Sequence, residues 1–162
     1  MVLMLVIVLV ALWLAYGRPR RGCLPDFAKL LDRPEFVDGF ENMRIGRAFL
    51  KGEFRGRKVV IMLQDWRGAF KIVLSMETRS TAAMESHDFT GYRPNREAEM
   101  ALYALEVKHD LKLMHKDSVL KARWQPVTFF VFPSPGRFDP AKWQSVLEAM
   151  HTLAGSLERR AA

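Results

Sequence analysis

Four histidines, one cysteine and a surplus of basic side chains are the residues whose types could do chemistry in this chain of 162 residues. Catalysis needs a nucleophile beside a base, a metal cluster or paired carboxylates. His87-Asp88 and His109-Asp110 are adjacent pairs, and on a strand neighbouring side chains point to opposite faces. His109 and His115 fall on one face by parity, where a histidine replacing an apolar residue reads as partly buried packing. A lone Cys23 excludes a disulfide scaffold, and no Cys/His spacing resembles a zinc site. The ten glycines stand apart at turns, so no phosphate-cradling loop exists. The expectation is a non-catalytic protein with no cofactor and no metal; a small enzyme with an unrecognised site is the third-ranked reading.

Charge carries more information. Lys+Arg number 25 against 18 Asp+Glu, giving +7 and a pI near 9.9. Residues 1–42 balance at zero, residues 43–79 carry nine basic and three acidic side chains, and residues 80–162 carry eleven and ten. The surplus concentrates on Lys51, Arg55, Arg57 and Lys58, around one predicted hairpin turn. Such a cluster suits an anionic surface, since each cation near anionic lipid is worth about 1 kcal/mol. Nucleic acid is not expected: Trp66-Arg67 is the single exposed aromatic–basic candidate, and Phe54 and Phe70 read as core.

Those residues need positioning, and the first element to do it is apolar. Met1 to Tyr16 holds no charged residue. At about 1.5 Å per residue it makes about 24 Å of helix, near the thickness of a hydrocarbon core. Trp13 and Tyr16 sit where an aromatic belt meets headgroups, and Arg18, Arg20 and Arg21 follow directly. The reading is an uncleaved single-pass anchor, without the basic n-region of a signal peptide. The arginines place the following domain on the cytoplasmic face of the cell membrane.

Residues 18–42 read as a basic juxtamembrane linker with a short helix opened by Pro25 and interrupted by Pro34. Three antiparallel strands follow at 45–54, 58–63 and 70–76, joined by turns at Arg55-Gly56 and Asp65-Gly68. Residues 77–95 read as a long loop. Between Glu97 and Lys116 propensity favours helix, whereas Tyr103, Leu105, Val107, Leu111 and Leu113 alternate at odd positions and predict two strands. Val119–Trp124 and Val127–Phe132 add two more. Asp139-Pro140 then opens a helix with Trp143, Val146, Leu147, Met150, Leu153, Ala154 and Leu157 on one face.

The fold class is therefore α+β: an N-terminal transmembrane helix, then six to seven antiparallel strands closed by a C-terminal amphipathic helix. Over about residues 43–160 that order resembles the pleckstrin-homology superfold, a bent sheet plugged by one helix. In that family's phosphoinositide-binding members, a first-hairpin Lys…Lys/Arg-x-Arg arrangement meets the headgroup, and Lys51, Arg55 and Arg57 are similar in spacing. The alternative is a smaller α+β sandwich with a central helix at 95–116. The domains are 1–17 (anchor), 18–42 (linker) and 43–162 (β-rich domain). The expected function is binding, as a scaffold or accessory subunit of a membrane-associated complex with a protein partner; the alternative is sensing of anionic lipid headgroups.

Overall fold

The computed structural model describes residues 23–39, 47–66, 69–81, 83–84, 89, 91–124 and 138–161. In chain order these form α1 (Leu24–Ala28), β1 (Asp32–Gly39), β2 (Arg47–Phe54), β3 (Arg57–Trp66), β4 (Ala69–Glu77), α2 (Arg96–Leu102) continued by a π-helical turn (Tyr103–Lys108), β5 (Leu111–Lys116), β6 (Val119–Trp124) and α3 (Pro140–Ala161). All six strands join one antiparallel sheet in the order β1-β2-β3-β4-β6-β5. The fold is α+β, as the sequence predicts.

The meander follows from β-branched alternation. Leu50, Phe54, Val59, Ile61, Leu63, Ile72, Leu74 and Met76 turn to the helix-covered face and are buried. Phe54 pairs with Arg57 across a two-residue turn in which Arg55 and Gly56 both adopt positive φ, 50° and 76°. That conformation matches the twist of the flanking strands.

Within 18–42 the short helix opened by Pro25 is present as α1, and residues 32–39 form a strand. Leu24 and Phe27 are fully buried, and β1 pairs with β2 from Asp32 to Gly39. Pro34 fits because β1 is an edge strand and the register shifts between Asp32 and Glu35, where Arg33 takes φ 49°. The α1–β1 link passes so close that a Cβ on Gly52 would lie 3.0 Å from the Leu31 side chain. Residues 23–39 thus pack with the sheet and the closing helix.

Between Glu97 and Lys116 the expectation of two strands is half corrected. Asn95 caps a helix, its Oδ1 accepting from the Ala98 amide at 2.8 Å. Ala98, Ala101, Leu102 and Leu105 then fall on one buried face, spaced for a helix. Tyr103 and Val107, placed inward by strand parity, are exposed. Helical propensity wins as far as Lys108; Asp110, at φ 53°, turns the chain, and the alternation holds from Leu111 onward. A central helix was the alternative reading, although it ends well short of 116.

Helix α3 forms as predicted. The Asp139 carboxylate accepts from the Lys142 amide at 3.1 Å, and the seven apolar stripe residues are all buried. Phe27 from α1 meets Trp143 at 5.0 Å and Phe138 at 4.9 Å, tying the chain's first described helix to its last. The helix lies across one sheet face, in keeping with the expected closure. The strand order differs from a succession of neighbouring strands: β4 pairs with β6, not β5, because α2 carries the chain past one position. Among the described residues no helix is long and apolar enough to cross a membrane. The anchor segment 1–17, with Trp13, Tyr16, Arg18, Arg20 and Arg21, and the strand at 127–132 lie outside the described residues.

Candidate functional site

Three surfaces hold the chemistry, and the predicted basic hairpin is the first. Arg57 donates two hydrogen bonds to the Glu158 carboxylate, at 2.6 and 2.8 Å, and its side chain is only 18% exposed. The Arg79 backbone amide reaches the same carboxylate at 2.7 Å. These donors, Arg57 foremost, hold the Glu158 carboxyl at about 2, below the usual range, and the hydrogen-bonded Glu158 carboxylate raises the Arg57 guanidinium in turn. Arg55 pairs with Glu148 at 3.1 Å, and Lys58 stands 3.8 Å from Glu77. Lys51 lies 5.4 Å over the Phe49 ring. The structure brings Arg55 and Arg57 together, but both face carboxylates of α3. This hairpin is a docking surface for the closing helix.

Beside it lies a polar cleft of about 390 Å³ lined by Arg57, Glu77, Thr78, Arg79, His151 and Glu158. His151 packs edge-on to Phe54, and its Nδ1 is buried without a hydrogen-bond partner. Burial, then Arg57 and Arg55, push the imidazole below its ordinary value. Thr78 Oγ and His115 Nε2 lie 2.7 Å apart, which has the look of a nucleophile and its base. The hydroxyl, however, also reaches the Ser80 carbonyl at 3.3 Å. The Thr78 hydroxyl thus has two acceptors within reach, and the His115 tautomer sets the direction of the shorter contact. His109 is distant from both in role, closing the π-helical turn with its Nε2 3.5 Å from Ser145 Oγ. His87-Asp88 lies outside the described residues.

The second surface was hidden from charge counting. On the β5–β6 hairpin, alternation sends Leu111, Leu113, Leu120 and Ala122 inward and Lys112, Lys116, Lys121 and Arg123 outward. Lys112 pairs directly opposite Arg123. None of the four has a carboxylate partner among the described residues, and Arg123 and Lys112 add to the burial that lowers the neighbouring Lys71. Residues 80–162 sum to only +1, yet Leu111–Trp124 holds four cations and one carboxylate. The signal was the same odd–even alternation, read for its polar half.

An apolar stripe forms the third. Met100, Tyr103 and Val107 are 64%, 61% and 65% exposed on successive turns of α2 and its π-helical continuation. Tyr103 and Val107 border a groove of about 280 Å³ whose walls include Phe89, Tyr92 and Leu102. Tyr92 is held by a hydroxyl contact to Ser156 on α3 at 3.1 Å, and Arg93 bridges to Glu99 at the rim. Glu106, also on the groove, has its carboxyl raised by burial. The strand reading of 97–108 concealed this stripe by assigning Tyr103 and Val107 to the core. No protein-family model, curated protein or solved structure matches the chain.

Proposed function

We propose that this protein is a non-catalytic binding domain held at the cytoplasmic face of a membrane by residues 1–17, serving as a scaffold or accessory subunit of a membrane-associated complex. The observation that carries the reading is the exposed Met100–Tyr103–Val107 stripe beside the apolar groove. Side chains of this size are seldom left contiguous in water unless a partner covers them. A site-specific photo-crosslinker at Tyr103, in the full chain in native membranes, should capture a discrete protein. Met100→Asp and Val107→Asp together should abolish capture. Absence of any product at Tyr103, with efficient reaction of the same probe elsewhere, would overturn the reading.

A second reading rests on the β5–β6 cations. Their unpaired charges support attraction to anionic lipid, at about 1 kcal/mol per cation near the surface. The pleckstrin-homology-like arrangement, with ligand at the first hairpin, receives less support because Arg55 and Arg57 are engaged by α3. Full chain in nanodiscs with and without anionic lipid should show selective protection of Lys112 and Lys116 from amine-reactive label at low salt. Equal labelling in both would remove the lipid reading.

A further inference from the structure

We infer that the groove beside α2 takes a lysine side chain of the protein partner, its ammonium on the Glu106 carboxylate and its methylene stem along the aromatic walls. This deepens the protein-binding reading and rests on it. The groove is not apolar throughout. Phe89, Tyr92 and Leu102 in its walls are buried, but Glu99 and Glu106 also line it, with Arg93 as the one cation. On a chain of +7 this groove therefore carries one net negative charge. The two carboxylates differ in what they face. Glu99 is bridged to Arg93. Glu106 is half-buried and has neither an ion-pair nor a hydrogen-bond partner among the described residues.

The backbone points to the same place. Tyr103, Glu106 and Val107 all belong to the π-helical turn, in which the His109 amide donates to the Ala104 carbonyl at 3.1 Å. Such turns are rare and recur at functional sites. This one supplies both the exposed apolar lip of the groove and its unpaired carboxylate. A neutral apolar occupant would bury Glu106 further and leave it unpaired, which is costly. A divalent metal ion needs several oxygen ligands, and one free carboxylate among aromatic rings offers too few. An alkylammonium satisfies both halves of the groove. Its stem packs on apolar walls, and its charge suits both a carboxylate and an aromatic face. Phe89 and Tyr92 meet edge to face, centroids 6.3 Å apart and planes at 80°, so the walls are set at right angles.

Zero-length cross-linking tests this directly, because a carbodiimide joins a carboxylate to an amine only where the two touch. In the full chain in native membranes it should link Glu106 to a lysine of a second polypeptide, located by mass spectrometry of the product. Glu106→Gln should remove that link and reduce photo-capture at Tyr103 about tenfold. Glu99→Gln, whose carboxylate already has Arg93, should reduce capture by no more than about twofold. Glu106→Gln removes an unpaired, half-buried charge, so it should unfold at no lower denaturant concentration than wild type, and lost capture is then not lost folding. A linked lysine from a second copy of this chain would support the assignment and identify the partner. Capture indifferent to Glu106→Gln, with no link at Glu106, would overturn the lysine assignment and leave the protein-binding reading standing. Loss of capture with no amine link would indicate a guanidinium in the groove and overturn it as well. If the Tyr103 probe captures nothing, both fall.

Discussion

The β2–β3 and β5–β6 hairpins are built alike and end differently. Each closes on a two-residue turn with positive φ at both positions, Arg55-Gly56 in one and Asp117-Ser118 in the other. Each presents several cations. The first lies against α3, whose Glu148 and Glu158 neutralise Arg55 and Arg57. The second turns Lys112, Lys116, Lys121 and Arg123 to the sheet face opposite α3, and among the described residues no carboxylate pairs with them. Cation density in sequence therefore does not measure cation availability. What decides it is which face of the sheet the alternation selects and whether a carboxylate-bearing helix lies there.

That comparison can be broken from either side. The largest effect should come from removing the helix that neutralises the first hairpin. Trp143 is 4% exposed at the start of α3, so Trp143→Ala should cost about 3–5 kcal/mol in denaturant unfolding. A loss below about 1 kcal/mol would show that α3 does not hold the hairpin. Next, exchanging all four β5–β6 cations for Gln should remove up to about 4 kcal/mol of attraction to anionic nanodiscs. Stability should change by under about 0.5 kcal/mol per site. If Arg55 and Lys58 exchanges weakened lipid attraction as much per charge, the distinction between the hairpins would fail.

Smaller effects sharpen the ion pairs. Glu158→Gln should cost about 1–2 kcal/mol, since a charge-assisted bidentate pair is lost at a partly solvated site. The same pair predicts an acid limb. The folded Glu158 carboxyl titrates at about 2, below an unfolded value of about 4.3. Its contribution is therefore complete above about pH 4.3 and is lost as pH falls toward 2. Wild type and Glu158→Gln should converge in stability over that window, measured by urea unfolding at stepped pH. Smallest of all, Arg55→Gln and Lys58→Gln should each change stability by under about 0.5 kcal/mol, their partners being exposed. A cost above about 1.5 kcal/mol would mean that these pairs, too, are structural.

Much of the fold was legible because it is written in local periodicity. Strands β2 to β4, strand β6 and the capped helix α3 each repeat one pattern over six or more residues. Two places resisted. Across 97–108, Tyr103, Leu105 and Val107 satisfy a strand period while Ala98, Ala101, Leu102 and Leu105 satisfy a helical one. Alanine carries too little apolar weight to arbitrate, and Asn95, the capping residue, decides it. At 32–39, Pro34 reads as an interruption unless the strand is known to lie at an edge. Edge position is a property of the assembled sheet, so no local pattern could disclose it. The basic cluster of the first hairpin was visible in sequence, but its engagement by Glu158, about a hundred residues later, was not.

The placement of β6 between β4 and β5 has a consequence for the order of assembly. Strands β1 to β4 can add one after another, each beside the last, at the low cost of closing short loops. Apart from a single bridge between His115 and Met84, the β5–β6 hairpin has no neighbouring strand until β6 meets β4, across a connection that includes the whole of α2. It must form as a separate piece, nucleated by its own two-residue turn, and dock afterwards. In native-state hydrogen exchange, amides of β5 and β6 should therefore open together and at lower free energy than those of β3 and β4. The two halves of one continuous sheet would behave as two cooperative units, with the seam between β4 and β6.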